Sequence, residues 1–418
     1  MVENKLKQAE MDAIPINWKI NSLGKVMDVF RGGSPRPIQE YITTSKNGVN
    51  WIKIGDVGAG AKYIDRTDEK IIPEGVLYSR TVNVGDLLLS NSMSFGRPYI
   101  LRTNGCIHDG WLVLQNYHDT FTQEFLFYIL SSNFVLNQYK SKAAGSSVLN
   151  LNKELVASVK LLIPPIEEQK AIAKVLSELD DYIDKLSRQI KKKQVIRDGM
   201  LEDLVRGKRR LPGYDGEWKE YDFISLINPK ARIGWQGLKK SEYLKSGYAL
   251  LIAGTDFDDG LLNYSNMSYV SQERYEMDEN IHVKNNDVLV TKDGTIGKVA
   301  IVKNLSMPAT LNSGVFVFKV ISEKLTQDFL YYILRSSVFE DFIDELSAGS
   351  TIKHLYQKDL KNLYFKIPVD INEQKAITDF IQSMDTELDL LKQKRAKYTS
   401  IKQGVMEELL TGKTCLND

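Results

Sequence analysis

The strongest constraint on the fold is an internal repeat. Residues 167–172 read EEQKAI and residues 372–377 read NEQKAI, 205 positions later. Further matches follow in the same order at offsets of 200 to 205: 17–19 with 217–219, 85–90 with 286–291, 125–130 with 329–334, 144–147 with 348–351, and 199–208 with 404–413. Matches that keep their order and nearly keep their offset indicate two copies of about 200 residues, each a globular part followed by a helix.

The two predicted helices show heptad spacing, with seam residues at alternating steps of four and three. The seam positions are Ile172, Leu176, Leu179, Ile183, Leu186, Ile190, Lys193, Arg197, Met200 and Leu204 in one helix, and Ile377, Ile381, Met384, Leu388, Leu391, Arg395, Tyr398, Lys402, Val405 and Leu409 in the other. Gly207 and Gly412 stand where a left-handed C-terminal cap is expected. Each helix therefore spans about 40 residues, or roughly 60 Å. Polar residues interrupt both seams at matching places, Lys193 with Arg197 and Tyr398 with Lys402, which is typical of contacts that fix register.

Neither helix buries its apolar stripe alone, so we expect the two to pair with each other. A two-fold axis relating the copies reverses direction, which predicts antiparallel helices with a globular domain at each end of a rod. Strand-like runs at 111–114 and 315–318 lead to helices with Thr122 and Thr326 as N-caps. The sequence thus predicts an α+β fold of two globular domains joined by two long antiparallel coiled-coil helices, with an internal pseudo-two-fold repeat. The expected boundaries are 1–160, 161–211, 212–365 and 366–418.

Residue types that carry catalysis are sparse. Cys106 and Cys415 lie one in each copy, and the 4 histidines are scattered without metal-ligand spacing. DGTIGK at 293–298 is one glycine short of a phosphate-binding loop, and DEK at 68–70 fits a solvated turn better than a nuclease triplet. Few thiols and no apolar run of signal or membrane length predict a cytoplasmic protein that makes no membrane contact. The sequence favours a binding protein or scaffold over an enzyme.

The doubled motif resembles the specificity subunit of type I restriction-modification systems. It reads IPPIEEQKAIAKVLSELDDYIDKL in the first copy and IPVDINEQKAITDFIQSMDTELDLL in the second. The resemblance covers the whole chain and includes the turn GGSPRP at 32–37, WIKIGDV at 51–57 as a strand, and LLLSNSMSFG at 87–96. The second copy has no GGSP string near residue 232, which leaves the place of its first DNA-facing loop open.

The resemblance implies a subunit that reads DNA and performs no chemistry itself. Residues 1–160 and 212–365 are then two target-recognition domains, each reading one half of a bipartite asymmetric target in double-stranded DNA. The helices in 161–211 and 366–418 set the spacing and form a docking scaffold for two methyltransferase subunits and for restriction, or translocase, subunits. S-adenosylmethionine is expected in the methyltransferase partner, and this chain is expected to hold no cofactor and no metal.

Contacts to DNA must come from local clusters, because 55 Lys and Arg are balanced by 54 Asp and Glu. Directed donors and acceptors on loops suit base edges, and glycine lets the backbone approach closely. The first-domain candidates are Arg31, Gly32, Gly33, Ser34, Arg36, Asn91, Ser92, Ser94, Arg97, Lys142, Ser146 and Ser147. The second-domain candidates are Lys292, Asp293, Gly294, Thr295, Lys298, Ser350, Thr351, Lys353 and His354.

The long helices also carry clustered positive charge. Residues 185–210 contain ten Lys or Arg against three acids. The densest positions are Lys191, Lys192 and Lys193, echoed by Lys392, Lys394, Arg395 and Lys397. Such a face is a solvated surface, or it follows the DNA between the two half-sites or meets a partner subunit.

A second class of function stays open at this point. Heptads alone also fit a non-catalytic coiled-coil scaffold that binds protein partners only, which predicts no sequence-selective binding of duplex DNA. The target sequence cannot be read from the loops, because DNA deformation contributes to selectivity beside direct contacts.

Overall fold

The computed structural model describes residues 14–58, 60–91, 95–143, 150–234, 237–348 and 354–416, with 347 and 348 described by their backbone alone. Packing divides the chain into two compact units, Met1–Ser187 with Gln393–Asp418, and Arg188–Lys392. Each unit combines one globular part, the first half of the helix that follows it and the second half of the other long helix. The functional boundaries at 160, 211 and 365 stay a prediction, because these units are defined by packing.

The helices of the described residues fall into two matching series. They are α1 Gln123–Leu130, α2 Asn133–Ala143, α3 Lys153–Ala157, α4 Ile166–Val205, α5 Phe223–Leu226, α6 Gln272–Glu276, α7 Gln327–Leu334, α8 Ser337–Ala348 and α9 Ile371–Leu410. Helices α4 and α9 each contain 40 residues, which confirms the predicted length. Gly207 and Gly412 follow them at φ of 67° and 74°, which confirms the predicted left-handed caps.

The strands of the first unit form two five-stranded sheets and a separate pair. They are β1 Lys19–Ser22, β2 Asp28–Arg31, β3 Ile42–Thr43, β4 Val49–Ile52, β5 Tyr63–Ile64, β6 Glu69–Ile71, β7 Arg80–Val82, β8 Leu87–Ser90, β9 Pro98–Leu101, β10 Gly105–Ile107, β11 Trp111–Gln115 and β12 Lys160–Ile163. The sheet orders are β3-β6-β4-β10-β7 and β2-β11-β8-β9-β5, and β1 pairs with β12.

Strand β8 shows why this part of the sequence is continuously apolar. Side chains alternate between the two faces of a strand. Leu87 and Leu89 enter a core cluster that also contains residues of α1, α2, α4 and α9. Leu88 enters a second cluster on the other face, together with Val113 of β11. The sheet is therefore covered on both faces, and every position of β8 is buried.

The second unit repeats this arrangement with fewer strands in each main sheet. Its strands are β13 Trp218–Asp222, β14 Ile227–Ala231, β15 Ala249–Ile252, β16 Phe257–Asp258, β17 Leu261–Leu262, β18 Ser268–Val270, β19 Val288–Thr291, β20 Val299–Ile301, β21 Ala309–Leu311, β22 Val315–Val320 and β23 Tyr364–Pro368. The sheet orders are β14-β22-β19-β20 and β18-β15-β21, with the pairs β13-β23 and β16-β17.

Strand registers confirm the internal repeat at the level of single residues. Leu88 of β8 pairs with Val113 of β11, and Leu289 of β19 pairs with Val317 of β22. These partners differ by 201 and 204 positions, the same offsets that relate the two copies in the sequence.

Helices α4 and α9 run antiparallel within each unit, as predicted. In the first unit Asp180 pairs with Lys402 and the rings of Tyr182 and Tyr398 lie 4.5 Å apart. In the second unit Lys193 pairs with Glu387 at 2.7 Å, so residue numbers rise along one helix as they fall along the other.

Buried polar contacts explain why both heptad seams are interrupted at the same places. Asp180 accepts a hydrogen bond from Tyr128 of α1 at 2.7 Å and also pairs with Lys402. In the second unit Asp385 accepts from Tyr332 of α7 at 2.9 Å and forms an ion pair with Arg197 at 2.7 Å. Burial, followed by the neighbouring aspartate, raises the pKa of Tyr128. Each contact joins a globular domain to both long helices; Arg395, by contrast, is exposed.

The doubled E-Q pair fastens each long helix to the domain before it. Gln169 of α4 is fully buried, accepts a hydrogen bond from the Thr122 backbone N–H at 2.9 Å and donates to the carbonyls of Thr120 and Pro164. Gln374 of α9 makes the matching three bonds, to the Thr326 N–H and to the Lys324 and Pro368 carbonyls. A glutamine amide supplies both a donor and an acceptor, which this position requires.

The glutamate of the same pair holds a tryptophan from the start of each copy. Trp18 donates its indole N–H to Glu168 at 3.0 Å, and Gly412 lies against the same indole. Trp218 donates to Glu373 at 3.3 Å, and Gly207 lies against that ring. Three repeated strings, N/E-W-K, E-Q and G-K, therefore meet at one place in each unit.

Two local predictions need correction. The string WIKIGDV is not one strand, because β4 ends at Ile52 and Ile54–Asp56 is a 3-10 helix. The Asp56 carboxylate accepts the Lys53 N–H at 2.7 Å, which closes this turn. The string DEK at 68–70 is not a turn, because Glu69 and Lys70 lie in β6. Thr122 and Thr326 are the N-cap residues of α1 and α7, as predicted. Thr326 accepts the Phe329 N–H at 3.2 Å, and the Thr122 hydroxyl makes no such bond.

Candidate nucleic-acid interface

The predicted loops of the first domain meet at one end of the β2-β11-β8-β9-β5 sheet. Asn91 follows β8, and its N–H donates to the Gly110 carbonyl at 3.0 Å. Its own carbonyl accepts the Leu151 N–H at 2.9 Å, so the segment after residues 144–149 returns to the same place. Gly32 donates to the Trp111 carbonyl at 2.9 Å, which brings in the GGSPRP turn.

Asp109 is the centre of this end of the sheet. Its carboxylate accepts the Ser34 hydroxyl at 3.0 Å and the Arg36 guanidinium at 3.4 Å. Its carbonyl accepts Nε of Arg31 at 3.1 Å and the side-chain amide of Asn91 at 2.9 Å. The sequence reasoning missed Asp109, although an Asp-Gly pair after a strand is a turn signal that marks the position.

The first-domain candidates differ in what they offer to a ligand. Arg31, Arg36 and Lys142 are exposed, whereas Asn91 is 2% exposed and its amide is used inside the fold. Arg97 is half-buried, and its guanidinium lies 5.6 Å from the Tyr99 ring centre. Ser92, Ser94, Ser146 and Ser147 lie outside the described residues.

His108 is part of the support of this surface. Its Nδ1 accepts the Gly110 N–H at 2.5 Å, and its ring lies 6.3 Å from Trp51. Burial lowers the pKa of His108, and the opposing attraction of Asp109 does not cancel this effect. A neutral imidazole with an acceptor at Nδ1 suits a structural bond to the backbone.

The second domain builds the same junction with other side chains. The Lys292 N–H donates to the Gly314 carbonyl at 2.9 Å, and the Lys292 carbonyl accepts the Leu355 N–H at 2.8 Å. These bonds match those of Asn91 with Gly110 and Leu151 at offsets of 201 and 204.

Two further second-domain candidates form an exposed pair. The Asp293 carboxylate accepts a hydrogen bond from Nδ1 of His354 at 2.6 Å, and the two backbones form an isolated bridge. Ser350, Thr351 and Lys353, which precede His354, lie outside the described residues. The pair therefore stands at the point where that segment rejoins the sheet.

The string DGTIGK forms the turn between β19 and β20, which agrees with the interpretation as a turn. Thr291 donates its hydroxyl to the Thr295 carbonyl at 2.5 Å and accepts the Lys298 N–H at 2.9 Å. Gly294 in this turn has a φ of 71°. Lys298 is exposed, and the Lys292 ammonium lies 5.6 Å from the Phe316 ring centre.

The place of the missing GGSP string in the second copy is taken by a buried arginine. Leu112 and Phe316 are equivalent at the offset of 204; Arg31 pairs with Leu112, and Ala231 pairs with Phe316. Arg31 therefore corresponds to Ala231, and Gly32 corresponds to Arg232. Its Nε donates to the Leu311 carbonyl at 2.9 Å, and the side chain is 3% exposed. Burial, with the nearby Arg274, lowers the pKa of Arg232.

The basic residues of the long helices separate into paired and exposed groups. Lys193 pairs with Glu387, and Lys392 pairs with Asp259 at 2.9 Å. The Lys394 ammonium lies 5.5 Å from the Tyr182 ring centre. The remaining candidates are exposed: Lys191, Lys192, Arg395 and Lys397.

No group of three or more His, Cys, Asp or Glu side chains in the described ranges is arranged to hold a metal ion. None of the helices described is both long and apolar enough to cross a membrane.

The fold and the loop geometry define a class of protein with two related α+β domains and two long helices. The two domains present different side chains at the same end of equivalent sheets. The family model described as "Type I restriction modification DNA specificity domain" matches residues 15–194 and 237–399. The chain belongs to this family.

Similar proteins agree with this assignment. The type I restriction enzyme MjaVIII specificity subunit of Methanocaldococcus jannaschii is 25% identical over 98% of this chain and 96% of its own length. A chain from a solved type I R-M system has 16% identity and a TM-score of 0.63, covering 96% of this chain and 99% of that chain. The type I restriction-modification system S subunit from M. genitalium has 16% identity and a TM-score of 0.57, and the match covers 94% of this chain and 96% of that chain. The resemblance drawn from the doubled motif is thereby confirmed.

Proposed function

We propose that this chain is the DNA-recognition subunit of a type I restriction-modification complex and reads a bipartite asymmetric target. Each recognition domain reads one half of the target, and the chain itself carries no catalytic group. The two halves differ in sequence because the two domains present different side chains.

One observation carries this proposal. In both domains the same backbone hydrogen bonds gather the predicted loops at one sheet end, through Asn91 in the first and Lys292 in the second. The side chains at that end differ: Arg31 and Arg36 surround Asp109 in the first, and Asp293 meets His354 in the second. A common frame with unlike donors and acceptors is what two different readings of base edges require.

The long helices supply the remaining parts of the proposal. We expect α4 and α9 to set the number of unread base pairs between the half-sites and to dock two methyltransferase subunits and the restriction, or translocase, subunits. The polar contacts at Asp180 and Asp385 support a fixed helix register, because a shift of one heptad would leave partly buried charges without partners. S-adenosylmethionine belongs to the methyltransferase partner, which carries out the methylation of adenine.

Genome-wide mapping of methylated adenine tests this function. We expect cells with the chain to show one two-part motif with a constant spacer, and cells from which its gene is deleted to lose that motif alone. Restoring the gene from a plasmid should restore the motif. An identical methylation map with and without the chain would contradict the proposal and would favour a scaffold that binds protein only.

A further inference from the structure

Two consecutive large apolar side chains are exposed beside the predicted reading turn of the first domain. Leu77 is 85% exposed and Tyr78 is 60% exposed. Both belong to the 3-10 helix Pro73–Tyr78, which leads into β7. Single exposed apolar residues are common on protein surfaces, so the surroundings of this pair decide its meaning.

The backbone holds this pair directly against the GGSPRP turn. A side-chain carbon at Gly33 would come within 2.8 Å of the Tyr78 carbonyl, so only glycine fits there. The Ile107 carbonyl accepts both the Gly33 N–H at 3.1 Å and the Ser79 hydroxyl at 3.0 Å. The Tyr41 ring packs edge-on against Tyr78 at 5.8 Å. The segment is therefore fixed in place at the turn.

Three arginines lie on the segments next to the apolar pair. Arg31 and Arg80 are exposed, and the Arg36 side chain is 82% exposed. The Arg80 guanidinium lies 4.6 Å from the ring centre of Phe30, the neighbour of Arg31 in β2. Glu74 is the acid in the first turn of the 3-10 helix. Arginines on the segments next to an apolar projection fit a duplex, because its phosphates attract the cations and its major groove offers the apolar thymine methyl.

The matching positions of the second domain have the opposite chemistry. Cys106 and Thr310 are equivalent at the offset of 204; Thr81 pairs with Cys106, and His282 bridges to Thr310. Thr81 therefore corresponds to His282, and Leu77 and Tyr78 correspond to Asp278 and Glu279. The feature thus distinguishes the first domain from the second.

We propose that Leu77 and Tyr78 extend the DNA-reading surface of the first domain and that Leu77 selects base pairs by apolar contact in a groove. This inference rests on the proposed function and adds to it two contact residues and the kind of base feature they recognise. The Leu77 side chain has no hydrogen-bonding atom, so selection there depends on the fit of an apolar group against the thymine methyl.

Adenine methylation maps of cells carrying Leu77→Ala or the double variant Leu77→Ala/Tyr78→Ala test the inference. We expect methylated sites with substitutions at one or two base pairs of a single half-site to rise at least about fourfold, the factor for one methylene-sized contact. The other half-site and the spacer should stay unchanged. Because Leu77 is 85% exposed, the variant should keep the thermal melting temperature of the parent chain.

Val84→Ala is the matched control, since Val84 is also 60% exposed and follows the opposite end of β7. It should leave both half-sites unchanged. A Leu77→Ala map identical to the parent's, or one altered in both halves, would overturn the inference while leaving the proposed function intact. A parent chain that directs no two-part motif would overturn the proposed function and this inference together.

Discussion

At the scale of single residues, the proposed recognition surface of the first domain depends on a carboxylate that contacts two arginines. Asp109 holds Ser34 and Arg36 by its side chain and Arg31 by its backbone. An acid at a DNA-facing surface repels phosphate, so it does not add to affinity directly. Its role is to fix the positions of the neighbouring side chains. We therefore regard Asp109 as a positioning residue.

Replacing Asp109 by alanine should lower selectivity more than affinity. Loss of the bonds to Ser34 and Arg36 should reduce the ratio of target to non-target binding by roughly fivefold, the equivalent of about 1 kcal/mol for one hydrogen bond. Asp109→Asn retains an acceptor for Ser34, so its ratio of target to non-target binding should lie between those of the parent chain and the alanine variant. Fluorescence anisotropy with matched duplexes, using the chain assembled with its methyltransferase, measures this ratio. Ser313→Ala, the corresponding position in the second domain, should leave the first half-site unaffected.

Asp109 also shows where inference from sequence stops. Its partners Ser34 and Arg36 lie 75 and 73 positions away, and only the strand order brings them together. Arg232 is a second case, because its burial against Leu311 depends on the register of β14 with β22. The loops could be predicted as loops, whereas the contacts that order them follow from topology.

At the scale of elements, the sequence was most informative where local and long-range signals coincided. Heptad spacing and capping glycines predicted both 40-residue helices, because each signal acts within a few residues. The E-Q pair lies in the first turn of the helix. In the structure, two hydrogen bonds join Gln169 to the segment before α1, and a third goes to the Pro164 carbonyl just before α4.

Gln169→Ala should destabilise the first unit by about 2 to 4 kcal/mol, because it removes the partner of the buried Pro164 carbonyl and of the partly buried backbone groups of Thr120 and Thr122. Denaturant unfolding followed by tryptophan fluorescence measures the change, since Trp18 lies beside the neighbouring Glu168. Lys170→Ala is the control: its ion pair with Glu167 is exposed and should contribute at most about 0.5 kcal/mol. Equal stability of the two variants would contradict the role of Gln169.

At the scale of the whole molecule, we propose that one chain carries two reading domains that act independently. The repeat supports this view, since equivalent strands keep the same register and equivalent loops keep the same backbone bonds. Each compact unit nevertheless contains part of both long helices, so a domain exchange must leave α4 and α9 untouched.

The most direct test replaces residues 12–160 by the recognition domain of another specificity subunit, keeping Trp18 because Glu168 accepts its indole N–H. Methylated adenine is then mapped across the genome of cells that carry the hybrid chain. With two independent domains, we expect one half of the two-part motif to change while the other half and the spacer length stay the same. A change in both halves, or in neither, would contradict this expectation.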